Sequence, residues 1–157
     1  MMRNRVFVDT FAWLALANRS DRYHGPAWTV FGDLRDAHCR FVTTNFVLVE
    51  LINSLSSHAC RQKTIQFVRH IEASPSVSVV QVTEELYDLA WSLYQQRTDK
   101  DWGITDCTSF QVMAMLGLTR AFTNDQSQGD AHALPWATMS CPFRASTRSP
   151  CGGLTSE

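Results

Sequence analysis

The stretch VFVDTFAWLALA, residues 6–17, sets one full charge, Asp9, among twelve residues of which ten are apolar. A carboxylate among core-forming residues is costly unless it is solvated, paired or bound to metal. Val6-Phe7-Val8 has strand composition, and Phe11-Ala12-Trp13-Leu14-Ala15-Leu16 follows at once in a helical pattern. Asp9 therefore falls at the junction, where the apolar segment meets water or a ligand.

Working outward, short apolar strands alternate with helices. Gly25-Pro26 starts a helix with Trp28, Val30, Phe31 and Leu34 on one side. Phe41-Val42-Thr43 reads as a strand, and Thr44-Asn45 caps a helix predicted to run to about Ser57. Ile65, Phe67, Val68 and Ile71 form the apolar set of a helix over residues 62–72, which Pro75 stops. Residues 77–82 have the β-branched composition of a strand. Thr83-Glu84-Glu85 opens a helix with Leu86, Leu89, Ala90, Leu93 and Tyr94 on one face. Thr105 is read as the cap of a helix ending at Gly117, and Ala121-Phe122-Thr123 as the last strand. This alternation predicts an α/β fold, a central parallel β-sheet flanked by helices on both faces and joined by right-handed crossovers. Chemistry in such sheets gathers at the carboxyl ends of the strands. Beyond about Ser127 the pattern degrades, so we expect one domain over residues 1–126 and a divergent, poorly ordered tail over 127–157.

Composition narrows the functional classes. The chain has 157 residues, 45% hydrophobic and 18% charged, as in ordinary globular domains. A formal net charge of −1 gives no global basic field, so a polyanion must be held by a local patch or through bound cations. Five cysteines, odd in number and irregularly spaced with no CxxC, argue against a disulfide framework or a zinc site. The five histidines include no HExxH pair. Arg3, Arg5 and the run that follows imitate a secretion signal, but Asp9 would break its apolar core. No segment reaches the roughly 18 apolar residues of a membrane span. A soluble, cytoplasmic protein with no membrane partner is the expectation.

Three further acids share the setting of Asp9. Asp125 follows Ala121-Phe122-Thr123-Asn124, beyond a strand; Glu50 lies within the apolar helical run FVLVELI; Asp106 falls at a helix start. Each has a bland explanation. Asp9 and Asp106 suit the positive end of a helix, Asp125 suits a turn, and Glu50 suits a buried ion pair. Gathered in one cleft, however, four carboxylates repel one another, and divalent cations relieve that repulsion. An oxygen-rich set without His or Cys suits Mg²⁺ or Mn²⁺. Such a cation generates hydroxide and clamps a scissile phosphate, which also answers the absence of a basic field. Asp99 and Asp101 read as solvated loop acids, Asp101 being the better of the two as a fifth member. Asp130 is an outside substitute for Asp125.

The segments VFVDTFAWLAL, VTTNFVLVEL, DKDWGITDCTSFQVM and RAFTND, in that order and spacing, resemble the PIN-domain ribonucleases, especially the VapC-type toxins of bacterial toxin–antitoxin pairs. The resemblance covers residues 5 to about 125 and implies a PIN-like fold. It also implies Mg²⁺-dependent hydrolysis of RNA phosphodiester bonds, with Mn²⁺ as a substitute, by a homodimer silenced by a cognate antitoxin. By the same resemblance Asp9, Glu50, Asp106 and Asp125 take the places of the acidic quartet, and all four are expected as metal ligands. Asp9 and Asp106 would be the firmest, with Thr10 and Thr105 orienting carboxylate or water. The family's continuation after the fourth acid, a pattern like DxHFxxAGF, is replaced here by Asp125-Gln126-Ser127-Gln128-Gly129-Asp130, so the match stops after Gln126. The competing reading is a PIN-like binding module, weak or inactive as a catalyst, that engages an antitoxin or RNA. Two other chemistries fit poorly. A phosphatase using Asp9 would need a second aspartate where Phe11 stands, and Cys107 has no evident histidine partner.

Overall fold

The computed structural model describes residues 4–123 and a strand at 138–140. Five strands, β1 (Arg5–Val8), β2 (Arg40–Thr44), β3 (Val77–Val80), β4 (Arg120–Phe122) and β5 (Thr138–Ser140), form one sheet in the order β3-β2-β1-β4-β5. The first four are mutually parallel, and β5 is antiparallel to β4, with Phe122 opposite Thr138. The helices are α1 (Thr10–Ala17), α2 (His24–Asp36), α3 (Asn45–Ser54), α4 (Arg61–Ala73), α5 (Glu84–Gln96) and α6 (Ile104–Met115). The crossovers from β1 to β2 and from β2 to β3 run one way across the sheet; the crossover from β3 to β4 runs back. Right-handed connections put the helices that precede β3 and those that follow it on opposite faces, with α3 packed against both α1 and α6. The direction of winding reverses between β1 and β4, which is where open α/β sheets place their sites.

The central strands are apolar because they are covered on both faces. Val6, Phe7, Val8, Phe41 and Phe122 are each at most 1% exposed. Two threonines share that core. Thr43 Oγ1 donates to the Val8 carbonyl at 2.9 Å and accepts from Trp13 Nε1 at 3.2 Å, tying β1, β2 and α1 together inside the core. Trp13 in turn meets Phe67 of α4 edge to face, with ring centroids 6.1 Å apart. Thr44 caps α3 by accepting from Val47 N, and Thr83 caps α5 by accepting from Leu86 N.

The helix ends follow their local chemistry. Gly117, with φ of +62°, stops α6: its N–H reaches the Ala114 carbonyl, and Leu118 N–H reaches that of Met113. That pair of bonds needs a left-handed residue, which glycine adopts without strain. His38, at φ +55°, occupies the same position after α2, a stop that the sequence reading did not identify. Helix α3 ends at Ser54 rather than near Ser57, and α6 begins at Ile104 with Gly103 as its N-cap, so Thr105 lies within the first turn. On α5 the buried face is Leu86, Ala90 and Leu93, whereas Leu89 and Tyr94 are exposed, against the expected grouping. The strand β5 was not anticipated, since the last recognised strand was that at residues 121–123. Its three residues pair with a partner distant in sequence, a signal that periodicity does not carry.

Replacing Thr43 by valine keeps the volume but leaves the Trp13 N–H without this acceptor and the Val8 carbonyl without this donor. Urea unfolding should show a loss of about 2 kcal/mol. A loss below about 0.5 kcal/mol, the range of neutral surface changes, would deny the bridge a structural role.

Candidate functional site

Asp9 sits at the carboxyl end of β1 and is the N-cap of α1. Its backbone N–H donates to the Phe122 carbonyl at 3.3 Å, and its own carbonyl accepts from Trp13 N. Its carboxylate divides its two oxygens: Oδ1 accepts from Ala12 N at 3.2 Å, and Oδ2 accepts from the Thr123 hydroxyl at the end of β4. The half-buried carboxylate is thus fixed between a helix start and the neighbouring strand end. The helix N-terminus favours its negative charge.

The next residue extends the arrangement. Thr10 is 8% exposed, and its hydroxyl donates to Glu50 Oε2 on α3. Glu50 itself belongs to an exposed stripe of α3 with Val49 and Ile52, which are 55% and 43% exposed. The run FVLVELI therefore does present a solvent-facing side, and burial does not set Glu50 apart. Its partner is a threonine hydroxyl.

Asp106 is the third residue of α6, half-buried, and its Oδ2 accepts from Gly103 N at 2.8 Å. Glycine offers no capping side chain, so the acid closes the first turn from within. Helix α6 packs against α3, and α3 against α1, so the three helices that carry these acids or their partners form one continuous assembly. The backbone carbonyl of Thr105 accepts from the hydroxyls of Thr108 and Ser109 at 2.7 and 2.9 Å. Thr123 is the hydroxyl that sequence reasoning passed over. Its signal was its place one residue beyond an apolar strand, opposite Asp9.

Asp125 and Asp130 lie outside the described residues. Asp99 pairs through both oxygens with Arg97, at 2.8 and 3.0 Å, and that guanidinium holds its carboxyl down at about 2. Asp101 is exposed. Cys107 is fully buried, and burial, with the neighbouring Asp106 charge, pushes its thiol up, which suits a packed thiol rather than a nucleophile.

Among the described residues, no three His, Cys, Asp or Glu side chains are gathered as a ready metal cage. The donor set at this end of the sheet nevertheless consists only of carboxylate and hydroxyl oxygens, which fits a hard divalent cation and not zinc. A carboxylate that accepts one or two hydrogen bonds keeps further lone pairs for a cation. Asp9, Glu50 and Asp106 are the residues that could hold one. Among the described residues, no helix is long and apolar enough to cross a membrane.

The PIN domain family model matches residues 6–133. The chain is similar to the 23S rRNA-specific endonuclease VapC20 of two Mycobacterium tuberculosis strains, CDC 1551 / Oshkosh and H37Rv. Each is 31% identical over 120 residues, covering 76% of this chain and 88% of the relative. The crystal structure of M. tuberculosis VapC20, described as a sarcin–ricin loop cleaving toxin, superposes with a TM-score of 0.68 at 29% identity. That match covers 74% of this chain and 87% of the other.

The double use of Asp106, as a turn-closing acceptor and as a charge, is separable. Asp106→Asn keeps an acceptor for Gly103 N and should hold stability within about 0.5 kcal/mol of the parent. Asp106→Ala removes the acceptor and should cost about 1 kcal/mol, both read by urea unfolding. Equal losses in the two variants would deny the capping role.

Proposed function

This chain belongs to the PIN domain family, and from that premise we propose that it is a Mg²⁺-dependent endoribonuclease of the VapC type. In this reading it hydrolyses RNA phosphodiester bonds as the toxin of a toxin–antitoxin pair, acting in the cytoplasm as a homodimer held in check by its antitoxin. The observation that carries the reading is the join at the β1–α1 corner: Asp9, held by Thr123, is followed directly by Thr10, which holds Glu50. Two carboxylates from separate elements are thereby set at the reversal of winding, where the fold concentrates chemistry.

Asp9, Glu50, Asp106 and Asp125 are proposed as the ligand set for Mg²⁺, with Mn²⁺ as a substitute. When bound, such a cation supplies Lewis-acid stabilisation of the phosphate and lowers the pKa of a bound water. The chain's own residues do the positioning. Thr10 and Thr123 fix the rotamers of Glu50 and Asp9, and Asp9 also caps the α1 N-terminus. The sarcin–ricin loop, cut by the relative of known structure, is the first RNA to assay.

The absence of a preassembled three-acid cage among the described residues favours one competing reading, a binding module without catalysis. Incubation of the folded chain with RNA separates the two. Cleavage should require Mg²⁺ or Mn²⁺, stop with EDTA, and fall at least about a hundredfold in Asp9→Asn and Asp106→Asn. Thr10→Val, which removes only a positioning hydroxyl, should lose roughly ten- to a hundredfold. Cleavage that persists in EDTA or in Asp9→Asn would reject the metal mechanism, and a folded protein that cuts no RNA would favour the binding module.

A further inference from the structure

The loop between α5 and α6 and the exposed face of α5 form a feature that the acidic site does not use. Tyr87, Trp91 and Tyr94 recur at four- and three-residue spacing on one face of α5, and all are exposed, at 41%, 44% and 43%. Trp91 and Tyr94 lie stacked, with centroids 5.5 Å apart and planes inclined by 11°. Large exposed aromatic rings on a helix are unusual unless something covers them.

Tyr94 also lines a cavity of about 420 Å³ with Arg97, Lys100, Asp101, Trp102 and Gly103, so one exposed carboxylate stands among its cations. Arg97 lies over the Trp102 ring at 5.0 Å while its guanidinium is held by Asp99, so this wall is fixed in place. Lys100 brings a second cation to the same cavity, beside Asp99, whose carboxyl it helps Arg97 to hold down. Gly103 is the residue whose N–H bonds Asp106, so the cavity opens one hydrogen bond from an acid of the proposed site.

We propose that this face is a subsite for single-stranded RNA flanking the scissile bond. Trp91 and Tyr94 stack an unpaired base, and Lys100 at the cavity takes an adjacent phosphate. The inference rests on the nuclease reading and deepens it by assigning where substrate lies. Flat π-faces beside a cation are the combination that binds single-stranded nucleic acid, where stacking supplies affinity and cations track the backbone. A purely apolar partner surface would cover the rings but leave the cation beside them unmatched. A second copy of this chain is the occupant that the test must distinguish.

The experiment uses the full chain, a fluorescein-labelled single-stranded RNA oligonucleotide with Ca²⁺ in place of Mg²⁺, and anisotropy as the readout. Trp91→Ala and Tyr94→Ala should each weaken binding about tenfold, and Tyr94→Phe, which keeps the ring, should bind as the parent does. Lys100→Ala should weaken binding and lower the salt slope by about one phosphate, whereas the ring variants leave the slope unchanged. Melting temperatures should not move, because the three side chains are exposed. Unchanged RNA affinity in the ring variants overturns the subsite, as does a parent chain that binds no RNA. Dissociation of a dimer in sedimentation with RNA affinity unaltered also overturns it and assigns the face to a second copy. Parallel Mg²⁺ cleavage assays keep the two readings apart. A chain that cuts RNA but ignores these substitutions loses only the subsite, and one that binds RNA through them yet never cuts loses only the nuclease.

Discussion

Every polar group of Asp9 has a partner, while its carboxylate oxygens keep further lone pairs. Its N–H reaches β4, its carbonyl accepts the first backbone bond of α1, one carboxylate oxygen caps that helix, and the other receives Thr123. A residue so placed cannot shift without disturbing the central strand, its neighbour and a helix together. It can occupy this position because β1 is buried on both faces, so the chain meets a polar environment only where the strand stops. The costly carboxylate of VFVDTFAWLALA is thereby the hinge between core and site. Thr43 does the complementary work one layer inward, joining the Val8 carbonyl to the Trp13 indole just before that exit.

From this constraint the rest of the site follows by adjacency. Once α1 is started by Asp9, Thr10 must lie in its first turn, and its hydroxyl reaches across to Glu50 on α3. Helix α3 is itself placed by Thr44, the residue after Thr43 in the neighbouring strand. Asp106 follows the same economy at α6: the acid that closes the helix start also brings a charge to it. Capping and ligation make compatible demands here, since both need a side-chain oxygen held in a fixed rotamer at a helix N-terminus, and a carboxylate oxygen can accept a hydrogen bond and still offer a lone pair.

The parts of this arrangement that were legible in the sequence are those fixed locally. A charge interrupting an apolar run marked Asp9, side-chain caps marked Thr44 and Thr83, and Gly117 marked the end of α6 because its left-handed bond geometry is a property of glycine. The parallel order of four strands was legible as alternation. What escaped depends on neighbours distant in sequence or on the absence of a signal. Gly103 caps α6 without a side chain to announce it, so Thr105 took its place in the reading. Glu50 looked buried because its run is apolar, yet α3 turns Val49, Glu50 and Ile52 outward, and only the position of Thr10 shows what the acid touches. Leu89 and Tyr94 matched the periodicity of a core face but belong to the outer side of α5. The strand at residues 138–140 has no periodic signature at all. Asp125, read from the same strand-end logic as Asp9, lies beyond the described residues.

The central claim is that acids from the ends of β1 and of the neighbouring elements act as one cation site. Mn²⁺ titration of the RNA-free chain followed by electron paramagnetic resonance addresses it directly, because it reads the ion and not the reaction. The account predicts saturable binding that Asp9→Asn, Asp106→Asn and Asp125→Asn each weaken, with Asp99→Asn and Asp101→Asn without effect. Binding that survives the loss of Asp9 and Asp106, or that depends instead on Asp99 or Asp101, would contradict it.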